Sequence, residues 1–180
     1  MDILDILISV IASTGLVTLI FKWFLQKDLE KYKNNLKQES IRFSKLYEER
    51  ANVIKNMYSK LSSLELQMKS LVQPFRPSGY NVEEKRADAA TKINDFITLA
   101  HEHKIFFNVH TCQLIDDILS EFKEMYNKFT ILKIDDVDDD SIPQGQKTQE
   151  WVDMWSSLTQ GRVSQLKSEL ENEFRLILGV

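Results

Sequence analysis

An uninterrupted apolar stretch near the N-terminus constrains this chain more than any other feature. Residues 5–27 have the sequence DILISVIASTGLVTLIFKWFLQK, and residues 6–21 carry no charge. With the next few residues the stretch reaches about 20 residues, which at 1.5 Å per helical residue matches the ~30 Å hydrocarbon core of a bilayer. The sequence therefore predicts a transmembrane segment within residues 1–25.

Two other interpretations of the stretch fit the sequence less well. A cleaved signal peptide begins with positive charge and ends in small residues, whereas this stretch follows Asp2 and Asp5 and ends in FKWFLQK. A buried core helix has a polar face, and this stretch has only scattered serines and threonines. Because Lys22 can extend its amine to the headgroups and Trp23 and Phe24 suit the interface, a retained span is favoured.

The basic residues follow the predicted span and do not precede it. Residues 22–60 contain ten Lys or Arg against five Asp or Glu, whereas residues 61–180 contain thirteen against twenty. The positive-inside rule then predicts a single-pass protein of the bacterial inner membrane with a cytoplasmic C-terminal part. Residues 26–41 are interpreted as a basic juxtamembrane stalk beside anionic lipid. The net charge of −4 gives no reason to expect duplex nucleic acid as a partner.

Small residues inside the predicted span favour contact between copies. Ser9, Ala12 and Ser13 fall on one side of a helix, and small side chains let transmembrane helices approach closely. We therefore expect a homo-oligomer whose spans pack through these three positions, with the lipid bilayer as the other partner.

The rest of the chain shows helical spacing of apolar residues, which predicts an all-α fold. One helix should continue from the membrane to about Gln73, with a narrow apolar stripe before residue 43 that resembles a stalk or coiled-coil seam. The expected apolar positions of this helix after residue 43 are Leu46, Tyr47, Ile54, Met57, Tyr58, Leu61, Leu64, Met68 and Leu71. Residues 42–180 are expected to form an antiparallel cytosolic helical bundle.

Three further helices complete the predicted bundle. The segment PFRPSGYN, residues 74–81, ends the first helix, and Asn81 with Glu84 can cap the second. Thr111 is the expected cap of the third, and Thr148 the expected start of the fourth, after a loop over residues 134–147. The apolar positions expected in these helices are Ala87, Ala90, Ile93, Phe96, Ile97, Ala100, then Leu114, Ile115, Ile118, Leu119, Phe122, Met125, Tyr126, Phe129, then Trp151, Trp155, Leu158, Val163, Leu166, Leu170, Phe174 and Ile177.

No catalytic, cofactor or metal motif is evident in the sequence. The acidic loop lacks the glycine and the final glutamate of an EF-hand, since Ser141 and Lys147 stand there. His103, His110 and Cys112 could meet at a metal only by accident of folding, and there is no glycine-rich phosphate loop or nucleophile elbow. The sequence predicts a protein that is not an enzyme and carries no cofactor.

One group of residues suits an anionic ligand. Arginines beside aromatic side chains can hold a phosphate and a stacked base. The candidates are Arg42, Lys45 and Arg50 on the first helix, Arg76 and Tyr80 in the proline-rich turn, and Arg86 on the second helix. The competing interpretation pairs these cations with nearby glutamates on the surface.

The predicted layout is one span, a lysine-rich stalk and then the helix RFSKLYEERANVIKNMYSKL, residues 42–61. This layout resembles small bacterial single-pass membrane proteins found beside antiviral defence systems. The overall size of the chain and the order of its segments also resemble the membrane effectors of type III CRISPR systems that respond to cyclic oligoadenylate. The resemblance implies an effector whose cytosolic domain oligomerises, binds a cyclic oligonucleotide and perturbs the inner membrane. The alternative is a structural scaffold that tethers a partner at the bilayer.

Overall fold

The computed structural model describes residues 3–73, 78–131 and 143–180, and side chains from Lys22 onwards. The chain divides into two compact units, Met1–Glu49 and Arg50–Val180, which we call the N-terminal and the C-terminal unit. The described residues contain five α-helices and no strand, so the expected all-α fold is confirmed. The helices are α1 Ile3–Val72, α2 Val82–His103, α3 Val109–Ile131, α4 Gln144–Thr159 and α5 Arg162–Leu178, with a short 3₁₀ helix, Lys104–Phe106, after α2.

The predicted transmembrane segment, residues 1–25, lies largely outside the residues whose side chains are described, which begin at Lys22. Among the described residues, no helix is long and apolar enough to cross a membrane. The packing positions Ser9, Ala12 and Ser13 also lie outside that part of the chain, so their role remains a prediction.

Cross-helix contacts show that the C-terminal unit is an antiparallel bundle. In α1 and α5, Tyr58 contacts Glu171 while Glu65 contacts Lys167, so residue numbers increase along α1 as they decrease along α5. In α3 and α5, Thr111 contacts Glu173 and Asp117 lies 3.8 Å from Arg162, again in reversed order. A further pair of contacts, Lys60 with Asp95 and Gln67 with Asp88, runs α2 antiparallel to α1.

One apolar core holds this bundle together, and α1 and α3 supply most of its residues. Every α3 position predicted as apolar is fully buried except Tyr126, which is partly buried. The residues of the core from the other helices are Val53, Ile54, Met57, Leu61, Leu64, Met68, Leu71, Val72, Ala89, Ile93, Phe96, Met154, Leu158, Val163, Leu166, Leu170 and Phe174. Burial of this kind at ~25 cal/mol per Å² is the main favourable term in folding.

Four of the residues predicted as apolar positions of the helices are instead exposed. Leu46, Tyr47 and Tyr58 are 48%, 52% and 38% exposed, and the first two belong to the N-terminal unit rather than to the bundle. Ala87 is exposed as well, and Ala89 is buried in its place, whereas the rest of the predicted α2 face is buried or partly buried.

The helix boundaries agree with the sequence at α2 and differ at α3. Asn81 caps α2 as predicted, its Oδ1 accepting from the Glu84 N–H at 3.3 Å. The cap of α3 is Asn108 and not Thr111, since Asn108 Oδ1 accepts from the Thr111 N–H at 2.7 Å. Thr111 is fully buried, and its hydroxyl donates to Glu173. Asn and Thr are both favourable N-cap residues, so residue preference alone does not decide between two candidate caps that are three residues apart.

The predicted fourth helix is in fact two helices, α4 and α5. The helix begins at Gln144 rather than at Thr148, since the backbone N–H groups of the first turn bond to the Pro143 carbonyl. It ends at Thr159, and α5 begins at Arg162 with Gly161 as its N-cap residue. A Cβ at Gly161 would stand 2.8 Å from Ser157 Cα, so the reversal requires glycine. Most of the predicted loop, namely residues 134–142, lies outside the described residues.

Candidate functional site

The N-terminal unit presents large apolar side chains along α1 from Trp23 to Tyr47. In a water-soluble helix such side chains would normally be covered, because exposed apolar patches mark contact with lipid or protein. Each of the following is between about half and three quarters exposed: Trp23, Phe24, Leu25, Leu29, Tyr32, Leu36, Ile41, Phe43, Leu46 and Tyr47. This exposed segment of α1, residues 22–49, is the candidate functional surface.

Aromatic and basic side chains occupy the start of the exposed segment. The rings of Trp23 and Phe24 meet edge to face, with centroids 5.4 Å apart. The Lys27 ammonium lies over the Trp23 ring at 5.1 Å from its centroid. Tryptophan held beside lysines is typical of the boundary between hydrocarbon and headgroups. The cluster directly follows the uncharged residues 6–21, as a membrane interface would require.

The predicted ligand residues on α1 are exposed and belong to two units. Arg42 and Lys45 lie in the N-terminal unit, and Arg50 begins the C-terminal unit. Arg42 lines an open groove of about 340 Å³ with Glu39, Phe43 and Leu46. The groove is shallow and borders one helix, so it does not enclose a nucleotide by itself.

The other predicted ligand residues have structural contacts. The Tyr80 hydroxyl donates to the carbonyls of Ser70 and Leu71, at 2.5 and 3.3 Å, and so binds the end of α1. Arg86 Nη1 bonds to Glu83 at 3.1 Å, the surface pairing that the sequence offered as its alternative. Arg76 lies outside the described residues. The ligand site therefore remains a prediction.

Sequence reasoning did not identify a polar cluster between α1 and α5. Lys167 Nζ and Lys69 Nζ each lie 2.6 Å from one oxygen of Glu65. The Tyr58 hydroxyl donates to Glu171 at 2.8 Å, and the Lys167 ammonium stands over the Tyr58 ring. Only the spacing of Glu65 and Lys69 by four residues could have been found from sequence, since Glu65 and Lys167 are 102 residues apart.

The charges of this cluster shift one another's pKa values. Partial burial alone would raise the pKa of Glu65, but hydrogen bonds and positive charge from Lys167 and Lys69 outweigh it and hold that pKa below its ordinary value. Partial burial alone would lower the pKa of Lys167, but the hydrogen bond and charge of Glu65 outweigh it and raise that pKa. Because each charge has a partner, the cluster stabilises the bundle and offers no free acid or base.

The cysteine and the histidines do not assemble a centre among the described residues. Cys112 and His101 line a crevice of only about 20 Å³, barely the space of one water. Cys112 Sγ approaches the Lys104 carbonyl at 3.8 Å, and His110 lies 3.8 Å from Glu173. Within the described ranges, no three His, Cys, Asp or Glu side chains are arranged to hold a metal ion.

Comparison of the chain with protein-family models, with curated proteins and with solved structures gives no match. The function is therefore inferred from the exposed segment of α1 and from the antiparallel bundle.

Proposed function

We propose that this chain is a single-pass protein of the bacterial inner membrane that acts through assembly and not through catalysis. Its bundle lies in the cytoplasm, and its N-terminal segment lies in the bilayer. The observation that carries the proposal is the row of exposed apolar side chains on α1, which begins with the Trp23–Lys27 cluster beside the uncharged stretch. Water is a poor solvent for such a row, whereas lipid and a second chain would each cover part of it.

The basic stalk supports this orientation. Lys22, Lys27, Lys31 and Lys33 follow the uncharged stretch within about three turns, and each such charge near anionic lipid contributes on the order of 1 kcal/mol. Lysines at one end of a span keep that end on the cytoplasmic side of the membrane.

A pair of C-terminal reporters tests the orientation. Alkaline phosphatase, which is active only in the periplasm, should be silent when fused after Val180, whereas green fluorescent protein should fluoresce there. Phosphatase activity with a dark fluorescent fusion would place the bundle outside the cytoplasm and refute the proposal.

The more specific form of the proposal is a signal-gated membrane effector. Resemblance to membrane effectors of defence systems supports it, as do the exposed cations Arg42, Lys45 and Arg50. A cyclic oligonucleotide would favour one arrangement of the assembled chains only if it binds that arrangement better than the other. The scaffold alternative is supported by Arg86, whose guanidinium is engaged by Glu83.

Thermal unfolding of the purified full chain in detergent separates the two forms. Cyclic oligoadenylates of three to six nucleotides are added singly, with linear oligoadenylates as the control. A rise in Tm with one cyclic species, abolished by Arg42→Ala with Arg50→Ala, supports the effector. If no cyclic species raises Tm, the effector form is rejected and the scaffold remains.

A further inference from the structure

We propose that residues 25–46 of α1 form a parallel coiled coil with a second copy of this chain; the parallel direction rests in part on the proposed membrane anchor. A second copy would cover the exposed apolar row. The partner is inferred from the spacing of that row and from the polar character of the other faces of the helix.

The apolar row repeats every seven residues. If Leu29 occupies position a of a heptad, six of the seven a and d positions between residues 25 and 46 are apolar. The a positions are Leu29, Leu36 and Phe43, and the d positions are Leu25, Tyr32, Glu39 and Leu46. A two-position stripe of this kind is the seam of a coiled coil, whereas a helix docking on a globular core shows a wider face.

The faces away from the seam are polar beyond the aromatic residues at its start. The b, c and f positions from residue 27 to residue 48 are Lys27, Glu30, Lys31, Asn34, Lys37, Gln38, Ile41, Ser44, Lys45 and Glu48. Ile41 is the single apolar residue among them. A helix lying flat on lipid would need apolar residues over a broader arc, so the narrow stripe favours a second helix.

Flanking charges are compatible with the parallel direction, and the proposed membrane anchor favours it. In a parallel pair, position g of one chain faces position e of the next heptad in the partner, which brings Asp28 opposite Lys33 of the other copy, so opposite charges meet. One antiparallel alignment places Asp28 opposite Glu49, where like charges meet, and the alignment one heptad away places Asp28 opposite Arg42, where opposite charges meet. Two chains that enter the same membrane through the same N-terminal segment run in the same direction, so the parallel pair is the one proposed.

Glu39 is the weak position of the seam. A parallel pair brings two copies of Glu39 together at a d position, which costs stability. Arg42 borders the same groove as Glu39, and its guanidinium can offset part of that charge. Such a polar d position weakens the pair and makes it reversible, so Glu39→Leu should strengthen self-association by at least about tenfold.

Disulfide crosslinking in native membranes tests the seam and its direction. The full chain carries Cys112→Ser, and a single new cysteine replaces either Leu29 at position a or Ile41 at position f. Mild oxidation should link Leu29→Cys chains at least about tenfold more than Ile41→Cys chains, because only core positions bring equivalent Cβ atoms within ~4.5 Å. Equal linking, or none at Leu29→Cys, would overturn the proposal and leave lipid or another part of the chain as the cover. Linking confined to a mixture of Leu29→Cys and Leu46→Cys chains would overturn the parallel direction.

A matched pair of substitutions adds an association measurement in detergent. Leu36 and Ile41 are 47% and 46% exposed, so aspartate at either should leave the fold intact. Leu36→Asp should weaken association by at least about tenfold, and Ile41→Asp should change it little. Asp28→Lys should also weaken it, and adding Lys33→Asp should restore it. Equal effects at Leu36 and Ile41, or no restoration, would count against the seam. These readouts fail separately from membrane anchoring, since a chain released from membranes could still pair through α1.

Discussion

Lys167→Met removes one charge from the polar cluster while it keeps the length of the side chain. Lys167 lies 2.6 Å from Glu65, with side chains 20% and 13% exposed, so the pair is neither free in water nor fully buried. Exposed ion pairs contribute ~0–1 kcal/mol, and breaking a buried pair costs ~3–5 kcal/mol. Because Lys69 still neutralises Glu65, we expect Lys167→Met to lower the free energy of unfolding by about 1–3 kcal/mol.

The matched control for this substitution is Lys60→Met. Lys60 lies 3.0 Å from Asp95, and both side chains are more than 40% exposed. Its loss should cost less than ~1 kcal/mol. The assay is urea denaturation of the full chain in detergent. Unfolding is monitored by the fluorescence of Trp151 and Trp155 in a Trp23→Phe background. If Lys167→Met costs no more than Lys60→Met, the reasoning about partial burial is wrong.

The same pair predicts a pH window. The folded pKa of Glu65 is lowered, so its contribution to the free energy of unfolding is complete above the unfolded pKa of ~4.3 and is lost as pH falls through the folded pKa. The folded pKa of Lys167 is raised, so its contribution is complete below ~10.4 and is lost as pH rises through the folded pKa. The difference between wild type and Lys167→Met should therefore be constant from about pH 5 to 9 and shrink on either side.

Four other variants test the fold and the predicted span. Phe122→Ala, at a fully buried core position of α3, should lower the free energy of unfolding by ~3–5 kcal/mol in the same urea assay. Gly161→Ala should cost ~1–3 kcal/mol, because its Cβ would stand 2.8 Å from backbone, whereas Gly145→Ala meets nothing within 4 Å and should be neutral or stabilising by up to ~1 kcal/mol. Ser9→Leu with Ser13→Leu should keep the chain in the membrane but reduce permeabilisation in cells with an activating system; a fully active, normally inserted double variant would argue against that packing face.

Periodicity predicted the architecture well where one helix face carries the signal. The α3 face from Leu114 to Phe129 is buried as expected, because a face with few polar interruptions allows one orientation. The end of α1 at Val72, one residue before the predicted end, follows from the prolines that come next.

Details that depend on tertiary contact could not be predicted in the same way. The Tyr58 hydroxyl donates to Glu171, which is 113 residues away in the chain, so local spacing cannot predict this contact. The break at Gly161 was overlooked because apolar spacing continues through it, although the glycine itself was a usable signal. For the candidate site, the sequence identified the stalk-like stripe, but only the structure shows that its side chains remain exposed.

Membrane extraction tests the central proposal most directly. Membranes from cells expressing the full chain are washed at alkaline pH with carbonate, which releases peripheral proteins and retains spanning ones. A spanning N-terminal segment should keep the wild-type chain in the pellet. Ile11→Lys with Leu16→Lys should move the chain to the supernatant, because each charge in the span costs about 2.5–3.5 kcal/mol on insertion. Release of the wild-type chain by carbonate would contradict the membrane anchor.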